Sequence, residues 1–143
     1  MIKAEDLRIG DLVQHESHIL KVVGLHNSGS VSFYVSNEHL VVGENDVNPI
    51  PLTNEILEKN GWLQKEYACE VFYYIELNMF ADIFLLYDDK NECFSVGLFF
   101  RTTFGYIDIL YFPLDIKYIH ELQHILYLFK DALIIKKMKP LQI

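Results

Sequence analysis

The one stretch of this 143-residue chain whose residue types and spacing match a known chemistry is His120-Glu121-Leu122-Gln123-His124. Two histidines at i and i+4 on a helix share a face and can hold one zinc ion, while the glutamate between them acts as general base on the metal-bound water. A zinc-dependent hydrolase with His120 and His124 as ligands and Glu121 as base is therefore one functional reading. Such a centre needs a third protein ligand. The extended form of the motif places glycine and histidine where this chain has Tyr127 and Lys130. Asp131 shares the histidine face but lies two helical turns beyond His124, about 10 Å away, which leaves His15, His18 or His39 as candidates from earlier segments.

The helix that must carry the motif gives a second test. Each helical residue advances about 100°. Tyr118, Ile119, Leu122, Ile125, Leu126, Phe129 and Leu133 then form one broad apolar stripe, with His120 and His124 on the far side. A helix that lays this stripe on a sheet turns both histidines to solvent. The expectation is therefore a solvated helix face, with no catalytic residue, resident metal or cofactor assigned.

Other constellations carry less. A glycine-rich phosphate loop, a nucleophile elbow and a paired-cysteine knuckle are all missing from the sequence. His15 and His18, beside Glu16, have residue types that could bind metal, but a polar turn between two strands explains them better. Asp88 and Asp89 read as turn residues whose carboxylates bond nearby amides. The aromatic residues Phe72, Tyr73, Tyr74, Phe99, Phe100, Tyr111 and Phe112 could stack bases only beside a basic groove. Lys90 and Arg101 are the only cations near them from Cys69 to Phe112, so core and interface packing is the expected role.

Charge and composition point the same way. The formal net charge is -8, from 12 basic and 20 acidic residues, which repels nucleic acid and anionic lipid at long range. The only locally basic stretch is Lys136, Lys137 and Lys139, which reads as a solvated tail. Weak nucleic-acid binding through the first segment is the third functional reading, opposed by this charge. Lys3, Glu5, Asp6 and Arg8 occupy the place where a leader peptide's apolar segment would lie, so cytoplasmic residence is expected. Cys69 and Cys93 are then expected as reduced thiols. Apolar runs such as Ile83 to Tyr87 are too short to span a bilayer, and no membrane association is expected.

Hydrophobic residues make up 51% of the chain and aromatics 14%, enough for a packed core. The patterning predicts an α+β fold in two segments packed as one compact unit. Residues 1–52 contain short strands at about 11–14, 19–25, 31–35 and 40–42, broken by His26-Asn27-Ser28-Gly29-Ser30 and by the stretch from Gly43 to Asn48. They suggest a small SH3-like curled sheet or barrel. In residues 53–143, Thr53 caps a short linking helix over Asn54 to Asn60, and Gly61 ends it. Four strands at about 70–77, 82–88, 93–101 and 105–112 then form an antiparallel meander, covered by a helix over about 116–133. Both faces of this meander are apolar. One carries Val71, Tyr73, Ile75, Ile83, Leu85, Tyr87, Phe94, Val96, Leu98, Ile107 and Ile109; the other carries Phe72, Tyr74, Phe84, Leu86, Phe99 and Leu110. A one-sided sheet alternates with polar residues, so both faces need a cover. That surplus suggests a non-enzymatic interaction or accessory protein with a protein partner or self-association through an apolar sheet face.

Three stretches also resemble a family. Asp6-Leu7-Arg8-Ile9-Gly10-Asp11-Leu12-Val13, then Pro49-Ile50-Pro51-Leu52-Thr53-Asn54-Glu55-Ile56-Leu57 with Gly61-Trp62, then Tyr118-Ile119-His120-Glu121-Leu122-Gln123 are similar, in this order, to an uncharacterised family of small proteins from Bacteroides-type bacteria and their phages or mobile elements. The resemblance covers most of the chain except the meander. Its final-helix pattern has an asparagine-like residue where this chain has His124. The resemblance implies cytoplasmic residence and a phage or mobile-element origin, with no activity attached.

Overall fold

The computed structural model describes residues 2–102, 107–132 and 142–143. The fold is mixed α+β and strand-rich. It divides into two compact units, Met1–Pro51 with Tyr118–Gln123 and Leu52–Lys117 with His124–Ile143. Among the described residues, no helix is long and apolar enough to cross a membrane.

The first unit is made of short strands. β1 (Leu12–His15) and β2 (His18–Lys21) form one antiparallel hairpin, and β3 (Gly24–Leu25), β4 (Ser30–Val35) and β5 (Glu38–Gly43) form a three-stranded antiparallel sheet. The apolar run expected as one strand over 19–25 is thus two strands in two different ladders. The switch occurs in a single step, because Val22 donates its amide to Asp11 O at 2.8 Å and Val23 donates to Ser32 O at 2.9 Å. Nothing in the mainly apolar run from Ile19 to Val23 signals such a change of partner. The core beneath is small and mainly aliphatic, with Leu7, Val13, Val22, Val31, Phe33 and Val47 buried together.

The second unit opens with α1 (Asn54–Lys59), capped as the sequence suggests: the Thr53 hydroxyl accepts from Ile56 N at 3.3 Å. Gly61 takes φ +80° and donates its amide to Glu58 O, while the next amide, of Trp62, reaches back to Leu57 O at 3.0 Å. This paired bonding satisfies the last carbonyls of the helix and seats Trp62 as a buried anchor.

From there β6 (Leu63–Tyr67), β7 (Glu70–Asn78), β8 (Ala81–Asp88), β9 (Cys93–Arg101) and β10 (Ile107–Ile116) pair in chain order as a five-stranded antiparallel meander, one strand more than expected. β6 escapes sequence reasoning because its middle, Gln64-Lys65-Glu66, is polar; it is an edge strand, exposed along most of its length. β10 runs past Pro113, where a strand would be expected to stop. It does so at the opposite edge of the sheet, with a register shift between Tyr111 and Asp115, the two settings in which proline is tolerated in a ladder. Thr103–Gly105 of the expected turn, the start of the strand expected from 105, Leu133 and the basic residues Lys136, Lys137 and Lys139 lie outside the described residues.

Both faces of the meander are buried at its centre. Phe72, Phe84 and Phe99 form an aromatic cluster on one face, no more than 1% exposed, with ring centroids 4.3–5.1 Å apart. Tyr73, Ile83, Leu85 and Val96 are buried on the other. The face assignment holds except on β10. Ile109 pairs with Phe99, which places it on the aromatic face, and Leu110 pairs with Leu98 on the opposite one. A strand apolar on both sides carries no phase signal, so only its register decides which side chain goes where. Side chains from the β6 edge also reach across the aromatic face. β6 and β9 are three strands apart, and the Tyr67 ring lies 6.3 Å from Phe99 and Lys65 Nζ 5.6 Å from the same ring.

α2 (Ile119–Ala132) buries Ile119, Leu122, Ile125 and Leu126, with Phe129 half-buried 6.0 Å from the Phe112 ring. The expected stripe is therefore present. The expected solvent exposure of the histidine face is not: His120 is only 4% exposed and His124 is half-buried.

Candidate functional site

The burial of His120 follows from what surrounds the first turn of α2. Tyr118 pairs with Pro51, and Ile119 donates its amide to Ile50 O at 2.9 Å. On another side of the same turn, Gln123 accepts from Leu12 N at 2.8 Å through Oε1 and donates to Gly10 O at 3.2 Å through Nε2. Chain segments thus flank this turn on more than the apolar side, whereas the helical-wheel reading assumed a single sheet against a single stripe. His120 lies parallel to the Tyr118 ring, with centroids 5.9 Å apart and planes at 12°.

Glu121, the residue in the general-base position, is three residues into the helix. Its carboxylate accepts from the backbone amide of Tyr118 at 3.0 Å. This is the reciprocal half of a capping box, in which the third helical residue satisfies an amide at the start of its own helix. The central residues of the catalytic-looking string therefore hold the helix terminus: Glu121 closes it, and Gln123 ties it to the Gly10–Leu12 backbone. His15 is half-buried and bonds Asp46 O, His18 is exposed, and the His39 ring packs 5.5 Å from Tyr34. Among the described residues no three His, Cys, Asp or Glu side chains gather as a metal site.

Sequence reasoning passed over a charged cluster on the aromatic face of the meander. Arg101, at the end of β9, bonds Asp82 on β8 through Nη2 and reaches Glu76 on β7 at 3.4 Å through Nη1. The Asp82 side chain is 2% exposed. Burial pushes its carboxyl above the usual carboxylate range, with the Arg101 guanidinium pulling in the opposite direction. The available signal was a charge at each end of a two-sided apolar pairing: Asp82 opening Asp82-Ile83-Phe84-Leu85-Leu86, and Arg101 closing Leu98-Phe99-Phe100-Arg101. Its two cations, Arg101 and the nearby Lys65, are balanced by Asp82 and Glu76, so the cluster presents no net charge to a ligand.

Two further surface features lie among the described residues. An open groove of about 570 Å³ in the first unit is lined by residues including Lys3, Glu5, Leu25, His26 and Glu44. Glu44 there accepts from Ala4 N at 2.8 Å and so serves the local backbone. In the second unit, the edge strand β10 exposes Leu110, Tyr111 and Leu114 by 49%, 49% and 44%. Comparison with protein-family models, with curated proteins and with solved structures finds no match to this chain.

Proposed function

We propose that this chain is a non-enzymatic interaction or accessory protein, resident in the cytoplasm, that engages a protein partner or a second copy of itself. The observation that carries this reading is β10: ten residues at the sheet edge, with Leu110, Tyr111 and Leu114 exposed and no strand on its outer side among the described residues. Soluble proteins blunt such edges with charge, proline or cover, because an open row of backbone groups templates strand addition. Pro113 and the register shift beside it blunt only part of this edge. The apolar surplus noted in the sequence is thus best placed on the rim of the sheet, since the centres of both faces are buried.

The first segment is a small SH3-like unit in this proposal, and the resemblance to proteins of Bacteroides-type bacteria and their mobile elements implies cytoplasmic residence and a mobile-element origin, with no activity attached. In the zinc-hydrolase reading, Glu121 would have to leave the Tyr118 amide before acting as a base, which makes that reading the weaker one. Nucleic-acid binding is opposed by the net charge of -8.

Hydrogen exchange on the monomer, joined to sedimentation over a range of concentrations, tests the proposal. The outward-facing amides of β10 should exchange rapidly in dilute protein and become protected as the chain associates or a partner binds. Strong protection in a strict monomer would mean that the edge is already occupied, and the reading would fail.

A further inference from the structure

The β1–β2 hairpin holds two histidines that the interaction reading does not use. His15 and His18 are directly paired, the last partners before the two-residue turn of Glu16 and Ser17. Directly opposed residues of an antiparallel pair project from the same side of the ladder, with Cβ atoms about 5 Å apart. Two imidazoles at that separation can approach one metal ion at about 2.0–2.1 Å.

A second, independent observation concerns the state of the His15 ring. Its Nδ1 lies 2.8 Å from the carbonyl oxygen of Asp46. A carbonyl only accepts, so Nδ1 carries the proton and, in the neutral ring, the lone pair is on Nε2. Metal-binding histidines commonly donate their other ring N–H to a carbonyl or carboxylate in this way, which fixes the tautomer and raises the basicity of the ligating nitrogen. The anchor is firm, because β1 is also bridged to the strand segment beyond Asp46: Gln14 N donates to Asn48 O at 2.9 Å and Asn48 N to Gln14 O at 2.8 Å. His18 is exposed, so the pair is open to solvent.

We infer that His15 and His18 form a two-point site for a borderline divalent transition-metal ion, with water filling the remaining coordination positions. Imidazole suits copper, nickel and zinc, and an unconstrained site follows the general affinity order, with Cu²⁺ tightest. The site is separate from the His120-Glu121-Leu122-Gln123-His124 string and independent of the interaction reading.

The test is titration of the full chain with Cu²⁺, using paramagnetic broadening in nuclear magnetic resonance spectra to locate the ion and calorimetry to measure its affinity. Broadening should centre on the β1–β2 turn. His18→Ala, an exposed substitution beside a turn, should weaken binding by about tenfold or more, since it removes one of two linked donors. His26→Ala and His39→Ala should leave the affinity unchanged. His15→Ala should act like His18→Ala, and the latter decides the matter if the former fails to fold. Broadening centred elsewhere, or unchanged affinity in His18→Ala, would overturn the inference.

Discussion

The two units solve the same problem, a strand-built core in few residues, by different means. In the first, the strands are two to six residues long and side chains hold the backbone together: Asp11 Oδ2 accepts from Arg8 N, Glu44 from Ala4 N, and Gln123 bonds both Leu12 and Gly10. In the second, the meander strands reach eight to ten residues from β7 onward and rings lock the layer, with Phe72, Phe84 and Phe99 in mutual contact and Tyr67 and Tyr111 closing on them. Short ladders leave many amides at strand ends, and each buried amide needs a partner. Long ladders satisfy their own amides, which frees side chains for packing.

The turns show the same contrast. Ser36-Asn37 and Ala68-Cys69 are both two-residue hairpin turns with both residues at positive φ. Asparagine tolerates that conformation, whereas alanine and cysteine do not favour it. The second unit tolerates a poor turn because its strands are secured elsewhere.

The largest effect should come from disturbing the packed layer. A Cβ added at Gly97 would lie 2.3 Å from Phe84 Cζ and 2.5 Å from the backbone oxygen of Leu110. Backbone cannot yield as a side chain can, so Gly97→Ala should cost about 3 kcal/mol in urea unfolding. A loss under about 0.5 kcal/mol would show that the aromatic face is loosely packed.

Arg101→Met should come next, at about 2 kcal/mol near neutral pH, because it strands Asp82 in a buried site while the partial exposure of Arg101 limits the loss. The sign of its pH dependence follows from the direction of the Asp82 shift. A carboxyl raised by burial binds its proton more tightly folded than unfolded, so stability falls as pH rises from the ordinary carboxylate value through the raised one. Without Arg101, the influence opposing that rise is gone. The stability gap between Arg101→Met and the parent chain should therefore narrow as pH is lowered from about 7 to about 4. A gap that does not change with pH would sink this account.

The smallest of the three effects belongs to the first unit. Gln123→Ala removes the acceptor for Leu12 N and the donor to Gly10 O, and should cost about 1–2 kcal/mol. If it costs more than Gly97→Ala, the contrast between clasped and packed units is wrong.

Much of the local structure was legible because its cause is local. The Thr53 cap, the Gly61 stop and the Asp88 turn, where Lys90 N bonds Asp88 Oδ1 at 2.9 Å, are each specified by a few neighbouring residues. The apolar stripe of α2 was legible too, since helical periodicity needs no knowledge of the partner. The polar edge strand β6 and the phase of β10 were not legible. Nor was the candidate site: the string at His120 reads as chemistry in one dimension, while the functions of Glu121 and Gln123 depend on Tyr118, Gly10 and Leu12.

The sequence by itself thus determined the α+β class, the Thr53 cap, the Gly61 stop and the Asp88 turn, the two apolar faces of the central meander strands and the acidic charge. Tertiary structure alone decided that the first turn of α2 joins the Met1–Pro51 unit, that His120 is buried, that Asp82 meets Arg101 and that His15 is oriented by Asp46. The division has one physical cause. Propensity, capping and periodicity act within a few residues, whereas burial, register and the pairing of charges depend on which distant segment arrives alongside.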